Sequence, residues 1–143
     1  MMCSFGLMIH LILDYLMSED TIQEKTVEYL RWQYPKVKYC ASLGGIRTGY
    51  KQAVKAKRTG YVKGFPDMQL LEARGGYFGM FIEIKTHKGY PTSHQKEWIE
   101  VLNDRGYYAI VAKGLPMILD EIDSYLSKDK TQFGYEFKDC LCK

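Results

Sequence analysis

Two apolar runs joined by a turn constrain this chain most. They cover about residues 67–71 and 77–86, and Ala73-Arg74-Gly75-Gly76 between them has turn chemistry. Read as strands, they form a β-hairpin. Strand side chains alternate between faces, so Glu83 and Lys85 project together, away from Ile82 and Ile84. Asp67, at the head of the first run, then comes close to Glu83 across the hairpin. Two carboxylates and an amine gathered in otherwise apolar strands is more than simple alternation would produce.

The rest of the chain reads as helices around these strands. Ser18 is an N-cap with Glu19 and Asp20 in the first turn of a helix that ends before Pro35, its stripe carried by Ile22, Val27 and Leu30. Residues 37–43 suit a short strand, broken by Gly44-Gly45, and residues 50–58 a short basic helix. After His87-Lys88-Gly89-Tyr90-Pro91, a turn, Thr92-Ser93 opens a helix with Trp98, Val101 and Leu102 on its apolar face and Gly106 as its stop. Residues 107–112 read as a strand, and Pro116 starts a last helix with Ile118, Leu119, Ile122 and Leu126 inward. The order α-β-(α)-β-β-α-β-α, closing on β-α-β, predicts an α/β fold with a right-handed crossover in a mixed central sheet flanked by helices.

The 143 residues fit one domain with its own core. We place it at residues 17–127, with a tail at 128–143 and an N-terminal extension at 1–16. That extension is a poor signal peptide and too short for a membrane span, and Met17 is a candidate natural start. Cys3, Cys40, Cys140 and Cys142 lack zinc-site spacing, so reduced thiols inside a cell are expected. The net charge of +3 does not by itself argue for nucleic acid, but its distribution is uneven. Arg47, Lys51, Lys55, Lys57, Arg58 and Lys63 fall in a stretch with no acid. Lys51, Lys55 and Arg58 share one helix face, which suits DNA phosphates and would make binding salt-dependent; a solvated face is the alternative. The Gly44-x-x-x-x-Gly49 spacing is followed by Tyr50-Lys51, so it is not a P-loop. The 12 tyrosines can stack on bases or pack, and sequence position decides neither.

Asp67, Glu83 and the Ile84 carbonyl supply the hard oxygen ligands that Mg²⁺ or Mn²⁺ takes. A cation held there lowers the pKa of water, and Lys85 can orient that water or offset charge developing on a phosphate; a lowered pKa would fit it for base work. Such equipment cuts phosphodiesters. Each residue has a plainer reading: Pro66-Asp67 as a turn, Glu83 and Lys85 as a solvent-facing surface pair. Gln95, three after Thr92, fits a capping box as well as a site wall.

Pro66-Asp67…Glu83-Ile84-Lys85 resembles the PD-(D/E)xK signature of restriction-endonuclease-like nucleases. The fuller pattern, Lys57-x-x-Gly60-x-x-x-Gly64-Phe65-Pro66-Asp67, Phe81-Ile82-Glu83-Ile84-Lys85-Thr86-x-Lys88-Gly89 and Gln95-x-x-Trp98, resembles the VRR-NUC (virus-type replication-repair nuclease) branch over about residues 19–126. Where that family more often has Ser-x-x-Gln, this chain has Ser93-His94-Gln95, which leaves Thr92 at the serine's place. The resemblance implies Asp67 and Glu83 as metal ligands, Lys85 as catalytic lysine, Gln95 lining the site, and an acid of the first helix assisting. Glu19 is the candidate for that acid, with Gln23 one turn on, although an acid at a helix N-terminus is favourable without any such role. It further implies a Mg²⁺- or Mn²⁺-dependent DNA endonuclease of viral or phage replication, recombination or repair. The expected enzyme is homodimeric, acting on four-way junctions or flaps inside the host cell. A restriction-type endonuclease and a non-catalytic DNA-binding module on the same fold are the alternatives.

Overall fold

The structure is a computed structural model that describes residues 15–42 and 49–132. Arg47, the Gly44-Gly45 break, Cys3, Cys140, Cys142 and most of the extension and tail lie outside the described residues. The described chain runs α1 (Glu19–Gln33), β1 (Tyr39–Ala41), α2 (Tyr50–Arg58), β2 (Met68–Leu70), β3 (Met80–Lys85), α3 (Ser93–Asp104), β4 (Tyr108–Lys113) and α4 (Leu115–Leu126). No helix among the described residues is long and apolar enough to cross a membrane.

The four strands form one mixed sheet in the order β1-β2-β3-β4. The hairpin is antiparallel, pairing Met68 with Ile82 and Leu70 with Met80. β3 and β4 run parallel, linked by α3, with Lys85 level with Lys113. Parallel neighbours cannot be joined by a tight turn, so the helix between them is a requirement of the pairing.

Alternation divides the sheet into two apolar faces. Met80, Ile82 and Ile84 join Ile22 and Leu30 of α1 and Ile118, Ile122 and Leu126 of α4 in the larger core. Phe81 faces the other way, packing with Leu102 and Ala109 against Phe65, Trp98 and Ile99. Each fully buried Leu or Ile contributes about 1.5–3 kcal/mol relative to exposure. Two buried hydroxyls find carbonyl partners: Thr26 Oγ1 donates to the Ile22 carbonyl at 2.8 Å, and Tyr125 Oη to the Glu72 carbonyl at 2.6 Å.

Several expectations need correction. The last helix buries Tyr125 fully and leaves Leu119 only half-buried. The second hairpin strand begins at Met80, because residues 77–79 serve the turn: the Tyr77 amide donates to the Arg74 carbonyl at 2.9 Å, and Gly79 lies so near the Leu70 carbonyl that a Cβ would stand 3.0 Å from it. The first residues past α4 pack on that turn. The Gly75 amide donates to the Asp129 carbonyl at 2.9 Å, and the Thr131 amide to the Ala73 carbonyl at 3.0 Å.

Candidate active site

The loop before β2 delivers Asp67. Gly64 has φ +90° and sits against the first turn of α3, where a Cβ would stand 2.7 Å from His94 Cβ. Only glycine accepts both that backbone and that approach. Phe65 then packs edge-on to Trp98 and Phe81, Pro66 is buried, and Asp67 emerges one residue before the strand. Its Oδ2 accepts from the Ile84 amide at 2.9 Å, so the carboxylate is tied to the strand carrying the other two groups. The Ser42 amide donates to the Asp67 carbonyl at 2.7 Å. Both ends of the stretch 42–67, which includes α2, therefore meet at this residue.

Glu83 and Lys85 do share a face, but that face is not solvent. Glu83 is 0% exposed and Lys85 6%. The solvent-facing reading and the surface ion pair both fail, because the start of α3 covers the end of β3. Lys85 Nζ lies 2.7 Å from Glu83 Oε1, 3.0 Å from the Ile84 carbonyl and 3.4 Å from Glu19 Oε1. Glu19, at the N-terminus of α1, remains partly exposed and reaches in from the edge. Gly89 makes room for this meeting: a Cβ there would stand 3.2 Å from Glu19 Oε1 and 3.3 Å from Lys85 Cδ.

Gln95 performs both of its possible tasks. Its backbone amide donates to Thr92 Oγ1 at 3.3 Å, while its Oε1 accepts from the Thr92 amide at 2.8 Å, which completes a capping box. Its Nε2 donates to Glu83 Oε1. Glu83 Oε1 thus takes two donors, whereas Oε2 is buried without a hydrogen-bond partner.

The electrostatics follow from this burial. Loss of solvent pushes the Glu83 carboxyl from 4.5 up to about 7, against the pull of the Lys85 hydrogen bond and with further push from the Asp67 charge. Asp67 is also raised by burial, opposed by the Ile84 hydrogen bond and the Lys85 charge. Burial alone would lower Lys85, but the hydrogen bond to Glu83 and the surrounding acids outweigh it and the ammonium is held above its ordinary range. Lys85 in this setting is a donor and a cation, which corrects the expectation of a lowered pKa suited to base work.

The donor set fits a hard divalent cation. A buried carboxylate oxygen with no partner is costly, and the Glu83 carboxyl lies close enough to that of Asp67 for each to act on the other. Among the described residues no three His, Cys, Asp or Glu side chains form a ready ligand cluster. Two carboxylates and a carbonyl leave several positions for water, as Mg²⁺ prefers. An open cleft of about 700 Å³ runs from Asp67 along α1, past Glu19, Gln23, Val27 and Arg31.

Of the expected DNA-contacting cations, Lys51, Lys55, Lys57, Arg58 and Lys63 are exposed, and none forms an ion pair with a described residue. α2 buries none of its residues. His94 lies on α3 and His87 in the loop after β3, both exposed and outside the carboxylate pair. Lys113 has no signal of its own in the sequence. Only the parallel register, which places it beside Lys85, could have pointed to it.

The family model of the VRR-NUC domain matches residues 15–116. A solved structure of a VRR-NUC domain protein is 33% identical to this chain, covering 81% of it and 93% of that protein, with a TM-score of 0.71. No curated protein matches significantly.

Proposed function

Because this chain belongs to the VRR-NUC family, a nuclease-type fold, we propose that it is a metal-dependent DNA endonuclease whose centre is Asp67, Glu83 and Lys85. The observation that carries this reading is the gathering of the three groups at the end of β3: Lys85 and Gln95 meet Glu83 Oε1, Asp67 is tied to the Ile84 amide, and Glu83 Oε2 is left buried without a partner. Asp67, Glu83 and the Ile84 carbonyl would hold Mg²⁺ or Mn²⁺. The cation supplies charge neutralisation on a phosphate and a lowered pKa for attacking water.

The residues then divide the work. Lys85, kept as ammonium by its acidic neighbours, donates toward the phosphate as negative charge accumulates on it. Gln95 holds Glu83 by Oε1 and leaves Oε2 for the cation. Glu19 accepts from Lys85 at the N-terminus of α1 and helps hold it as the ammonium. The exposed cations of α2, with Lys63, bind DNA phosphates, and Arg47 extends the same basic stretch in sequence. Their segment starts and ends at Asp67, which supports its placement beside the scissile bond.

The proposed substrate is branched DNA, four-way junctions or flaps, in viral or phage replication, recombination or repair. A homodimer with two centres related by a two-fold axis would suit paired cuts in a symmetric junction. Cleavage of labelled duplex, flap, splayed-arm and four-way-junction DNAs, with Mg²⁺ or Mn²⁺, by the natural chain and by Lys85→Ala tests this. Metal-dependent cutting lost in the variant supports the reading. Binding without cutting in every metal would leave a DNA-binding module.

A further inference from the structure

Around the loop after β3, at the rim of the centre, aromatic rings meet cations. Tyr90 is 79% exposed, and its ring has a cation over one face: Lys113 Nζ lies 3.9 Å from its centroid. Lys113 is the residue level with Lys85 on the neighbouring parallel strand, so their side chains leave the sheet on one face about a strand spacing apart. Gly89, next to Tyr90, lies against both Lys85 and Glu19. On the loop's other flank, Tyr15 stacks on His87 with centroids 5.7 Å apart and rings inclined by 21°, and Lys88 Nζ sits 4.7 Å from the Tyr15 centroid. A ring with one face against a cation leaves the rest open to solvent, and every nucleobase offers a π-face to meet it.

Resting on the nuclease reading, we propose that Tyr90, braced by Lys113, is a stacking platform for an unpaired nucleobase beside the scissile phosphate. A base within a continuous duplex is stacked on its neighbours and cannot leave without an unstacking cost, whereas a base at a branch or flap is free to do so. Tyr90 would thus favour DNA with unpaired nucleotides over uninterrupted duplex. Lys113 holds the ring and adds positive charge near the phosphate.

The test is binding of flap DNA carrying 2-aminopurine at successive positions of the unpaired arm, and of continuous duplex of the same sequence, in Ca²⁺ buffer. The full chain is compared with Tyr90→Phe and Tyr90→Ala. The natural protein and Tyr90→Phe should quench the probe at one or two positions. Tyr90→Ala should lose that quenching and roughly tenfold in affinity for the flap, with duplex affinity unchanged. Its thermal midpoint should be unchanged, since the ring is exposed. Equal loss in both variants, equal loss on duplex, or quenching that persists in Tyr90→Ala would overturn the platform. A natural protein that cuts DNA in Mg²⁺ or Mn²⁺ but never quenches overturns the platform alone. One that neither binds nor cuts any DNA overturns the nuclease reading beneath it.

Discussion

Glu83→Gln separates the cost of the site from its use. The glutamine is isosteric, keeps an oxygen where Lys85 and Gln95 donate, and replaces the unpartnered oxygen with an NH₂. Raising the Glu83 pKa from 4.5 to about 7 means that folding without the cation favours the protonated carboxyl over the ionised one by about 3 kcal/mol relative to the unfolded chain. The Lys85 attraction is already included in that preference. The sign follows: with the folded pKa above the unfolded one, the stabilisation from Glu83 is complete below about pH 4.5 and is lost as pH rises through about 7. A neutral side chain never loses it.

In EDTA, Glu83→Gln should therefore be more stable than the natural protein by about 3 kcal/mol at pH 8, and by less than about 1 kcal/mol at pH 5. In urea the pH 8 difference is a midpoint shift of roughly 1–3 M at unchanged slope. Adding Mg²⁺ at pH 8 should stabilise the natural protein and leave the variant where it was, because the cation substitutes for the missing proton. DNA cleavage by the variant should be lost. A variant less stable at pH 8, or equally affected at both pH values, would refute the premise that the Lys85 ion pair fails to offset the burial of the Glu83 charge.

Three further outcomes are expected. Thr92→Ala and Gln95→Ala should each cost about 1 kcal/mol in thermal unfolding through the lost cap; only Gln95→Ala should also lower cleavage, by about 10- to 100-fold, because only Gln95 touches Glu83. Gly64→Ala should destabilise by about 1–3 kcal/mol, read from chemical denaturation, because it meets both a φ of +90° and the α3 backbone. Replacing Lys51, Lys55 and Arg58 together by alanine should leave the melting curve unchanged and make the logarithmic salt dependence of DNA binding shallower by about 3; an unchanged slope would return this face to solvent.

The hairpin was legible because it is local: two apolar runs, a glycine turn and period-two alternation placed Glu83 and Lys85 together and Asp67 across from them. Their burial was not legible. Whether the second face of β3 meets water depends on α3 covering it, and that rests on Phe65, Phe81, Trp98 and Ile99, residues far apart in sequence. Gln95 posed a false choice because a side-chain amide has two ends, and a capping box uses only the oxygen. Tyr125 was missed for a related reason. A buried tyrosine needs a hydroxyl partner, and the Glu72 carbonyl comes from the hairpin connection, 53 residues away in sequence. Leu119 sits at the margin of the α4 stripe, where periodicity alone assigns it to either side.

The alternation of β3 also governs which misfolded chains can exist. A slip of one residue against β2 would carry Glu83 and Lys85 into the face now filled by Met80, Ile82 and Ile84, and turn Ile84 toward Asp67. Two ionisable groups would then lie among Ile22, Leu30, Ile118 and Ile122, with no Gln95 to meet them. Such a chain would not persist as a folded but inactive competitor; it would fail to consolidate and remain open to proteolysis. Quality control of the fold and proofreading of the carboxylate pair are thus one event, and a population of this protein that survives purification should contain few molecules with a misassembled centre.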